Sequence, residues 1–291
     1  MKKILIALFL PLLLVGCAQV PQQTDIAATT LPVYDFTQAL CQGTDLTVGR
    51  LITESVSCLH DYSLNVSQVR QAESAQVLVL SGGGLEDFME DVLSGKPAID
   101  ASQGIPLLEG EEHGHGDHED HDGHHHEWDP HIWLSPENAK AMASNICRGL
   151  TEQYPQWEGV FSANLQNLLA RLDNLEEYGE EQLRNLSCRE LITFHDGFAY
   201  FAQAFDLDIV AAVEEESGSE ASAKELIDLI TLTRTHSLPA IFIEKNGSVS
   251  AADILCRETG VEKATLDMAM AGSSYFDAMY HNIDTIKEAL G

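Results

Sequence analysis

The chain has 291 residues, with 46 acidic residues against 16 lysines and arginines, and its formal net charge is -30 at pH 7. Such a surface repels nucleic-acid phosphates and attracts cations, so we expect no nucleic-acid partner. The length suffices for one large or two medium domains.

The N-terminus, MKKILIALFLPLLLVGC, is typical of a bacterial lipoprotein signal. Two lysines precede an apolar run that is too short to span a bilayer and that ends on small residues before a cysteine. We predict a signal peptide over residues 1–16 and lipidation of Cys17, which would anchor the exported chain to the cell membrane, at the extracellular face or in a periplasm. The alternative is an unmodified cysteine. Residues 17–25 are polar and are predicted to be a tether.

The next part of the chain alternates short, β-prone apolar runs with longer helical patterns. This alternation predicts a parallel sheet covered by helices, and we assign residues 26–155 to a first α/β lobe. Its predicted strands are IAATT (26–30), LTVGRLI (46–52), VLVL (77–80) and IPLL (105–108).

Two further helices are predicted after these strands. Ser135 can cap a helix that has Pro136 at its first position and that runs to about Leu150. Apolar residues spaced by three, four and their sums then mark one face of a long helix within residues 156–187. We expect this linking helix to be a stiff connector that allows only small movements of the parts it joins.

A second series of strands follows the linking helix and predicts a second α/β lobe over residues 188–291. The predicted fold is therefore α/β, with two lobes, each built on a small parallel sheet flanked by helices, joined by one long rigid helix. The strands of the second lobe are predicted at ELITF (190–194), DIVAAV (208–213), AIFIE (240–244) and KATL (263–266).

Five cysteines follow Cys17, and none lies in a CxxC arrangement, so a thiolate zinc knuckle is not expected. An odd number leaves at least one thiol free if the others pair, and the sequence leaves the pairing open. These residues are Cys41, Cys58, Cys147, Cys188 and Cys256.

Three histidines and one aspartate stand where metal ligands are expected. His195 and Asp267 each directly end a predicted strand. His60 lies a few residues beyond another strand, and His131 stands immediately before the capped helix. Ligands of open α/β sheets bind outside the carboxyl ends of the strands, so these side chains can converge on one cleft. Three imidazoles and a carboxylate are ligands that zinc accepts in tetrahedral geometry.

Four motifs also carry a resemblance to a known family. HDYSL, DPHIWLSP, TFHDGFAYFAQAF and TLDMAMAGSSYFDAMYHNIDTIKEAL occur in this order around a His/Asp-rich loop and a long helix. Over nearly all of residues 26–291, the chain resembles the zinc-binding lipoproteins of ABC importers, the ZnuA-like solute-binding proteins. The resemblance implies two lobes on one rigid helix, a metal in the cleft between them, and delivery of that metal to a membrane permease driven by an ATPase.

The resemblance also implies a role for each candidate residue. Carried over by position, the metal ligands are His60, His131, His195 and, as the fourth, Asp267. Met268 stands where the family usually has a proline, so the turn can differ and a water molecule is the alternative fourth ligand. Manganese-binding relatives place a carboxylate where this chain has His195, and a third imidazole favours Zn²⁺ over Mn²⁺.

A His-rich loop is predicted over residues 109–127. Because ordering its glycine-rich, acidic backbone costs much entropy, we expect it to bind metal only loosely. We interpret it as an accessory that raises the zinc concentration near the cleft, and the alternative is a metal-buffering or solubilising insert. Its histidines are His113, His115, His118, His121, His124, His125 and His126.

These observations predict a monomeric protein, not an enzyme, that captures Zn²⁺ outside the cytoplasm and releases it to an ABC permease with its ATPase. One alternative is an exported zinc-dependent hydrolase, since Asp61 and Asp196 each follow a candidate histidine, although the HExxH motif is missing. Another is a zinc-buffering surface adhesin without a transporter partner, which would share the metal site.

Overall fold

A computed structural model of the chain describes residues 24–54, 59, 62–110, 128–213 and 221–291. These residues form two lobes, each built on a four-stranded parallel sheet. The predicted signal peptide, Cys17, His60 and all seven histidines of the His-rich loop lie outside the described residues.

The first lobe precedes the linking helix. Its strands are β1 (Ile26–Ala28), β2 (Val48–Arg50), β3 (Val77–Leu80) and β4 (Ala98–Asp100). Its helices are α1 (Leu31–Leu40), α2 (Val66–Ser74), α3 (Glu90–Leu93) and α4 (Pro136–Gln153). The linking helix is α5 (Glu158–Leu183), and short 3-10 turns lie at Asp87–Met89, Ile132–Leu134 and Pro155–Trp157.

The second lobe follows the linking helix. Its strands are β5 (Glu190–Phe194), β6 (Asp208–Ala212), β7 (Ala240–Glu244) and β8 (Glu262–Leu266). Its helices are α6 (Ala199–Ala204), α7 (Ala223–His236), α8 (Ser250–Thr259) and α9 (Tyr275–Leu290).

The two sheets share one topology. The strand order is β2-β1-β3-β4 in the first lobe and β6-β5-β7-β8 in the second, with all strands parallel. In each lobe the first strand is central. The chain adds the second strand on one side of it and the third and fourth strands on the other side. A switch point therefore lies between the carboxyl ends of β1 and β3, and another lies between those of β5 and β7. Such points are where open α/β sheets bind ligands.

Helix α5 joins the lobes by packing as well as by sequence. At 1.5 Å per residue its 26 residues extend about 39 Å. It packs against α1 and α4 of the first lobe and against α9 of the second. Its apolar face is buried at Phe161, Leu168, Leu172, Leu175 and Leu183, as the spacing predicted. The larger of two clusters of buried apolar side chains contains residues of both lobes, and the smaller cluster lies within the second lobe.

The predicted two-lobed α/β fold is confirmed, and one strand prediction is wrong. The fourth strand of the first sheet is β4, at Ala98–Asp100, whereas residues 105–108 form no strand. Ile105 is 8% exposed, and Leu107 and Leu108 pack against the core. Burial against other side chains therefore accounts for the apolar character of this run, without sheet pairing. The other seven predicted runs overlap observed strands.

The capped helix is also confirmed. Ser135 Oγ accepts a hydrogen bond from Asn138 N, and Pro136 begins α4. Among the described cysteines, Cys41, Cys147, Cys188 and Cys256 are free thiols. No helix in the described part of the chain combines the length and the apolar character needed to cross a membrane.

Candidate metal centre

Two of the predicted ligands, one from each lobe, meet where the lobes face each other. His131 comes from the segment before α4, and His195 directly follows β5. Their Nε2 atoms are 3.5 Å apart, and both residues are buried, at 1% and 6% exposure. Two nitrogens about 2.0–2.1 Å from one tetrahedral zinc ion would be about 3.3 Å apart. The pair is thus already spaced as two ligands of one ion.

His131 is held from behind by a buried carboxylate. Asp129 Oδ1 lies 2.8 Å from His131 Nδ1 and also accepts the backbone N–H of His131 at 2.9 Å. Because a carboxylate accepts hydrogen bonds, the proton of the neutral imidazole belongs on Nδ1, which leaves the Nε2 lone pair available. This carboxylate–histidine arrangement is typical of metal ligands.

Tyr200 anchors the segment that carries this pair. Its hydroxyl donates to the carbonyl of Asp129 at 2.9 Å and accepts the N–H of Leu108 at 2.8 Å. Burial raises the pKa of Tyr200 to about 12, so the phenol keeps its proton. The first lobe's His131 is therefore fixed by a residue of α6, in the second lobe.

His195 faces the buried side chain of a glutamate. Glu244 is the last residue of β7, the strand next to β5, and its Oε2 lies 3.7 Å from His195 Nδ1. All five residues of β7 are buried, with Glu244 at 4% exposure. Burial raises the pKa of Glu244 to about 8, and the negative charge of Asp267 adds to this rise.

Gly197 leaves the room that His195 needs. A Cβ atom at this position would lie 2.8 Å from His195 Cδ2 and 2.6 Å from Met268 Cε. Any larger residue would therefore displace the imidazole or the end of the Met268 side chain.

Asp267 is fixed by its backbone. It follows β8 and is 8% exposed. The buried amide of Asn282 accepts the N–H of Asp267 at 2.7 Å and donates to its carbonyl at 2.8 Å. Asp267 Oδ1 accepts the N–H of Ala269 at 2.9 Å, and Trp133 Nε1 donates to the carbonyl of Met268 at 2.8 Å. These bonds hold the turn without the proline of the family pattern.

The remaining oxygen of Asp267 is paired with a lysine. Asp267 Oδ2 lies 2.9 Å from Lys245 Nζ, and Lys245 directly follows Glu244 at the end of β7. Within the described residues, no set of three histidine, cysteine or acidic side chains is grouped as a metal site. The structure thus brings His131 and His195 together and places Asp267 on the same side of the second sheet, bound to Lys245. His60 lies outside the described residues.

Sequence reasoning missed three residues of this centre: Asp129, Glu244 and Lys245. The signal for Glu244 was available, because it ends a predicted strand just as His195 and Asp267 follow theirs. Asp129 stands two residues before His131, a spacing that allows an aspartate to bond both the backbone and the ring of the histidine. Nothing in the sequence pattern indicates the pairing of Lys245 with Asp267.

Two parallel α/β lobes on a shared helix, with a histidine pair backed by carboxylates where they meet, define a two-lobed binding protein. The family model described as "ZnuA: Zinc-uptake complex component A periplasmic" matches residues 26–289. The chain belongs to this family.

Individual relatives agree with this assignment. The zinc-binding lipoprotein AdcA of Streptococcus pneumoniae (strain ATCC BAA-255 / R6) is 31% identical over 308 residues, which cover 99% of this chain and 61% of the relative. The chain thus spans about three fifths of the length of that relative.

Solved structures agree as well. A crystal structure of ZnuA is 28% identical, with a TM-score of 0.78, and the match covers 92% of this chain and all of that one. The Zn(II)-bound ZnuA-like domain of Streptococcus pneumoniae AdcA is 26% identical, with a TM-score of 0.75, and the match covers 92% of this chain and 99% of that domain.

Proposed function

We propose that this protein captures one Zn²⁺ ion between its lobes and releases it to an ABC importer. The observation that carries the proposal is the pair of Nε2 atoms 3.5 Å apart, with a buried acidic side chain facing the Nδ1 atom of each ring. Two buried imidazoles, each with an acidic side chain at its Nδ1 atom, form a set of donors that suits a small divalent cation.

Four protein ligands complete the proposed site. His131 and His195 supply two, His60 supplies the third, and Asp267 supplies the fourth once its carboxylate is free. Imidazole nitrogens and one carboxylate oxygen suit zinc better than the harder Mn²⁺. A site closed by four protein ligands leaves no open position for a reactive water, which fits transport rather than hydrolysis.

The family supports the cellular setting. It is a family of zinc-uptake components, and relatives carry the names zinc-binding lipoprotein and zinc-binding protein. We infer that this chain is likewise exported, held to the membrane through lipid on Cys17, and active as a monomer. Its partners would be a permease and the ATPase that drives it. We infer no enzymatic activity.

The His-rich loop is proposed to act beside this site. Its seven histidines lie directly before the segment that carries His131. Weak capture there would raise the zinc concentration at the cleft. Deleting residues 111–126 should leave the affinity of the cleft unchanged and slow zinc uptake under severe zinc limitation. Unchanged uptake under that limitation would leave the loop as a buffering or solubilising insert.

Zinc titration in competition with a high-affinity chelator tests the main proposal. The wild-type chain, purified in detergent, is compared with the double variant His131→Ala/His195→Ala. The control is His236→Ala/His281→Ala, which removes two imidazoles bonded to Glu190 and to the carbonyl of Thr265. We expect one tight site, weakened at least about 10³-fold in the first double variant, because half of the ligands are lost.

The control double variant should match the wild type. A tight site that survives in the His131→Ala/His195→Ala protein but is lost on deletion of residues 111–126 would contradict the proposal. The loop would then be the zinc-binding site, and the cleft would not.

A further inference from the structure

We propose that Lys245 competes with zinc for Asp267 and thereby sets how readily the ion is released. This inference rests on the proposed function, because it assigns Asp267 a role as zinc ligand. Its basis is that the carboxylate expected to complete the site is bound to an ammonium group, with Nζ and Oδ2 2.9 Å apart.

The fixed backbone of Asp267 limits which of its contacts can be exchanged. Asn282 bonds both its N–H and its carbonyl, and Oδ1 accepts the N–H of Ala269. Only the partner of Oδ2 can be exchanged without breaking the turn. Lys245 holds that oxygen, so an arriving cation and the ammonium compete for the same atom.

Lys245 is suited to leave and return. Its backbone is fixed, because its N–H donates to the carbonyl of Leu266 at 2.9 Å. Its side chain, in contrast, is 55% exposed, whereas that of Asp267 is 11% exposed. An ion pair with one partner in water is weak, so the ammonium can move into solvent at little cost. The lysine therefore gives a buried carboxylate a replaceable counter-ion.

The charges around the site explain why such a counter-ion is useful. The side chain of Asp267 is only 11% exposed, and a nearly buried carboxylate is costly without a positive partner. Lys245 supplies that partner when zinc is not bound. When zinc is bound, the same ammonium repels the dication and favours its departure. Both effects weaken zinc binding relative to a site without the lysine.

The variant Lys245→Met tests the inference, because methionine keeps an unbranched apolar stem and removes the charge. Zinc affinity should rise by about 3- to 10-fold, the range expected for losing a half-exposed ion pair and its repulsion of the dication. The gain should appear mainly as slower release. Chelator competition gives the affinity, and stopped-flow mixing with excess chelator gives the release rate.

Two further variants separate charge from packing. Lys245→Arg keeps the positive charge and should bind zinc like the wild type. In an Asp267→Asn background, Lys245→Met should raise zinc affinity much less, since the competition for the carboxylate is gone and only the repulsion of the dication remains. Thermal melting of each metal-free variant establishes that it is folded, and Lys245→Gln replaces Lys245→Met if the methionine variant is not.

The outcomes distinguish this inference from the proposed function. If the wild type lacks a tight cleft site, the proposed function fails. If the wild type has that site but Lys245→Met binds and releases zinc unchanged, only the role of Lys245 is overturned. An equal gain in Lys245→Arg, or a full gain in the Asp267→Asn background, would also overturn it.

Discussion

The two lobes have the same strand order but use their switch points differently. In the first lobe, the buried Glu86 accepts hydrogen bonds from the Thr29 hydroxyl at 2.6 Å and from the N–H groups of Ser81 and Gly82 at 2.8 and 3.0 Å. In the second lobe, the buried Glu244 faces a histidine ring. Glu86 is hydrogen-bonded within its own lobe, whereas Glu244 faces the candidate metal centre between the lobes.

The comparison shows how one architecture separates stability from binding. Glu86 joins the ends of β1 and β3 and closes the first switch point with side-chain and backbone groups. Position 82 requires a glycine, because the backbone there has φ +82 and a Cβ atom would lie 2.0 Å from Asp100 Oδ1. The first lobe then contributes its proposed ligand, His131, from the segment before α4, outside its own switch point. The role of a buried glutamate near a strand end therefore depends on which groups contact it.

The largest expected effect concerns Glu86 and pH. Burial raises its pKa to about 7, from 4.5. Between these values the folded protein keeps a proton that the unfolded chain has lost, so the contribution of Glu86 to stability falls as pH rises. The free energy of unfolding of wild type, relative to Glu86→Gln, should fall by about 3 kcal/mol from pH 4.5 to 7.

Urea unfolding at pH values across this window measures the difference. Glu90→Gln, on the exposed side of α3, is the matched control and should follow the wild type at every pH. A Glu86→Gln protein whose difference from wild type stays constant with pH would show that folding does not raise the pKa of Glu86.

The second prediction concerns zinc affinity, for which Glu244 should matter and Glu86 should not. Glu244→Gln should lower zinc affinity by about 10- to 100-fold, since the carboxyl group that faces Nδ1 of a proposed ligand is lost. Glu86→Gln should leave it within about 2-fold, because Glu86 bonds only groups of its own lobe. Chelator competition on both folded variants measures this. Equal losses of zinc affinity in the two variants would mean that both glutamates support the zinc site.

The third prediction compares two buried asparagines, one in each lobe. Asn145 on α4 donates to the carbonyls of Ala101 and Gln103, which follow β4. In the same way, Asn282 on α9 donates to the carbonyl of Asp267, which follows β8. Asn145→Ala and Asn282→Ala should each cost about 2 kcal/mol of stability, because buried hydrogen bonds are lost.

Only Asn282→Ala should also weaken zinc binding, by about 3- to 10-fold, because it loosens the backbone of a proposed ligand. Thermal melting and chelator competition on the same preparations give both numbers. Weaker zinc binding in Asn145→Ala would remove the distinction between a structural and a site-holding asparagine.

The sequence supported the fold well because periodicity reports burial. Apolar runs located seven of the eight strands, and the cap at Ser135 located the start of α4. The run at residues 105–108 was misassigned because burial alone makes a run apolar, whether or not it joins a sheet. Strand ends also indicated His195 and Asp267, whose positions follow from topology.

What the sequence could not supply was the partner of each side chain. The bonds of Asp129 to His131 and of Lys245 to Asp267 depend on rotamers and on loops that converge only in the folded chain. The same applies to the contrast between Glu86 and Glu244, both of which are glutamates near strand ends. Their roles differ through contacts from residues distant in sequence, such as the bond from Thr29 to Glu86.

Helix α5 has a consequence for how the molecule loses its structure. It packs on α1, α4 and α9, and the large buried apolar cluster contains residues of both lobes, although the second lobe also has a smaller buried cluster of its own. Loss of either lobe would therefore expose apolar side chains of the other. Unfolding should be one cooperative transition. Any ion held between the lobes then raises the melting temperature of the entire chain, so calorimetry of the whole molecule records occupancy of a single site.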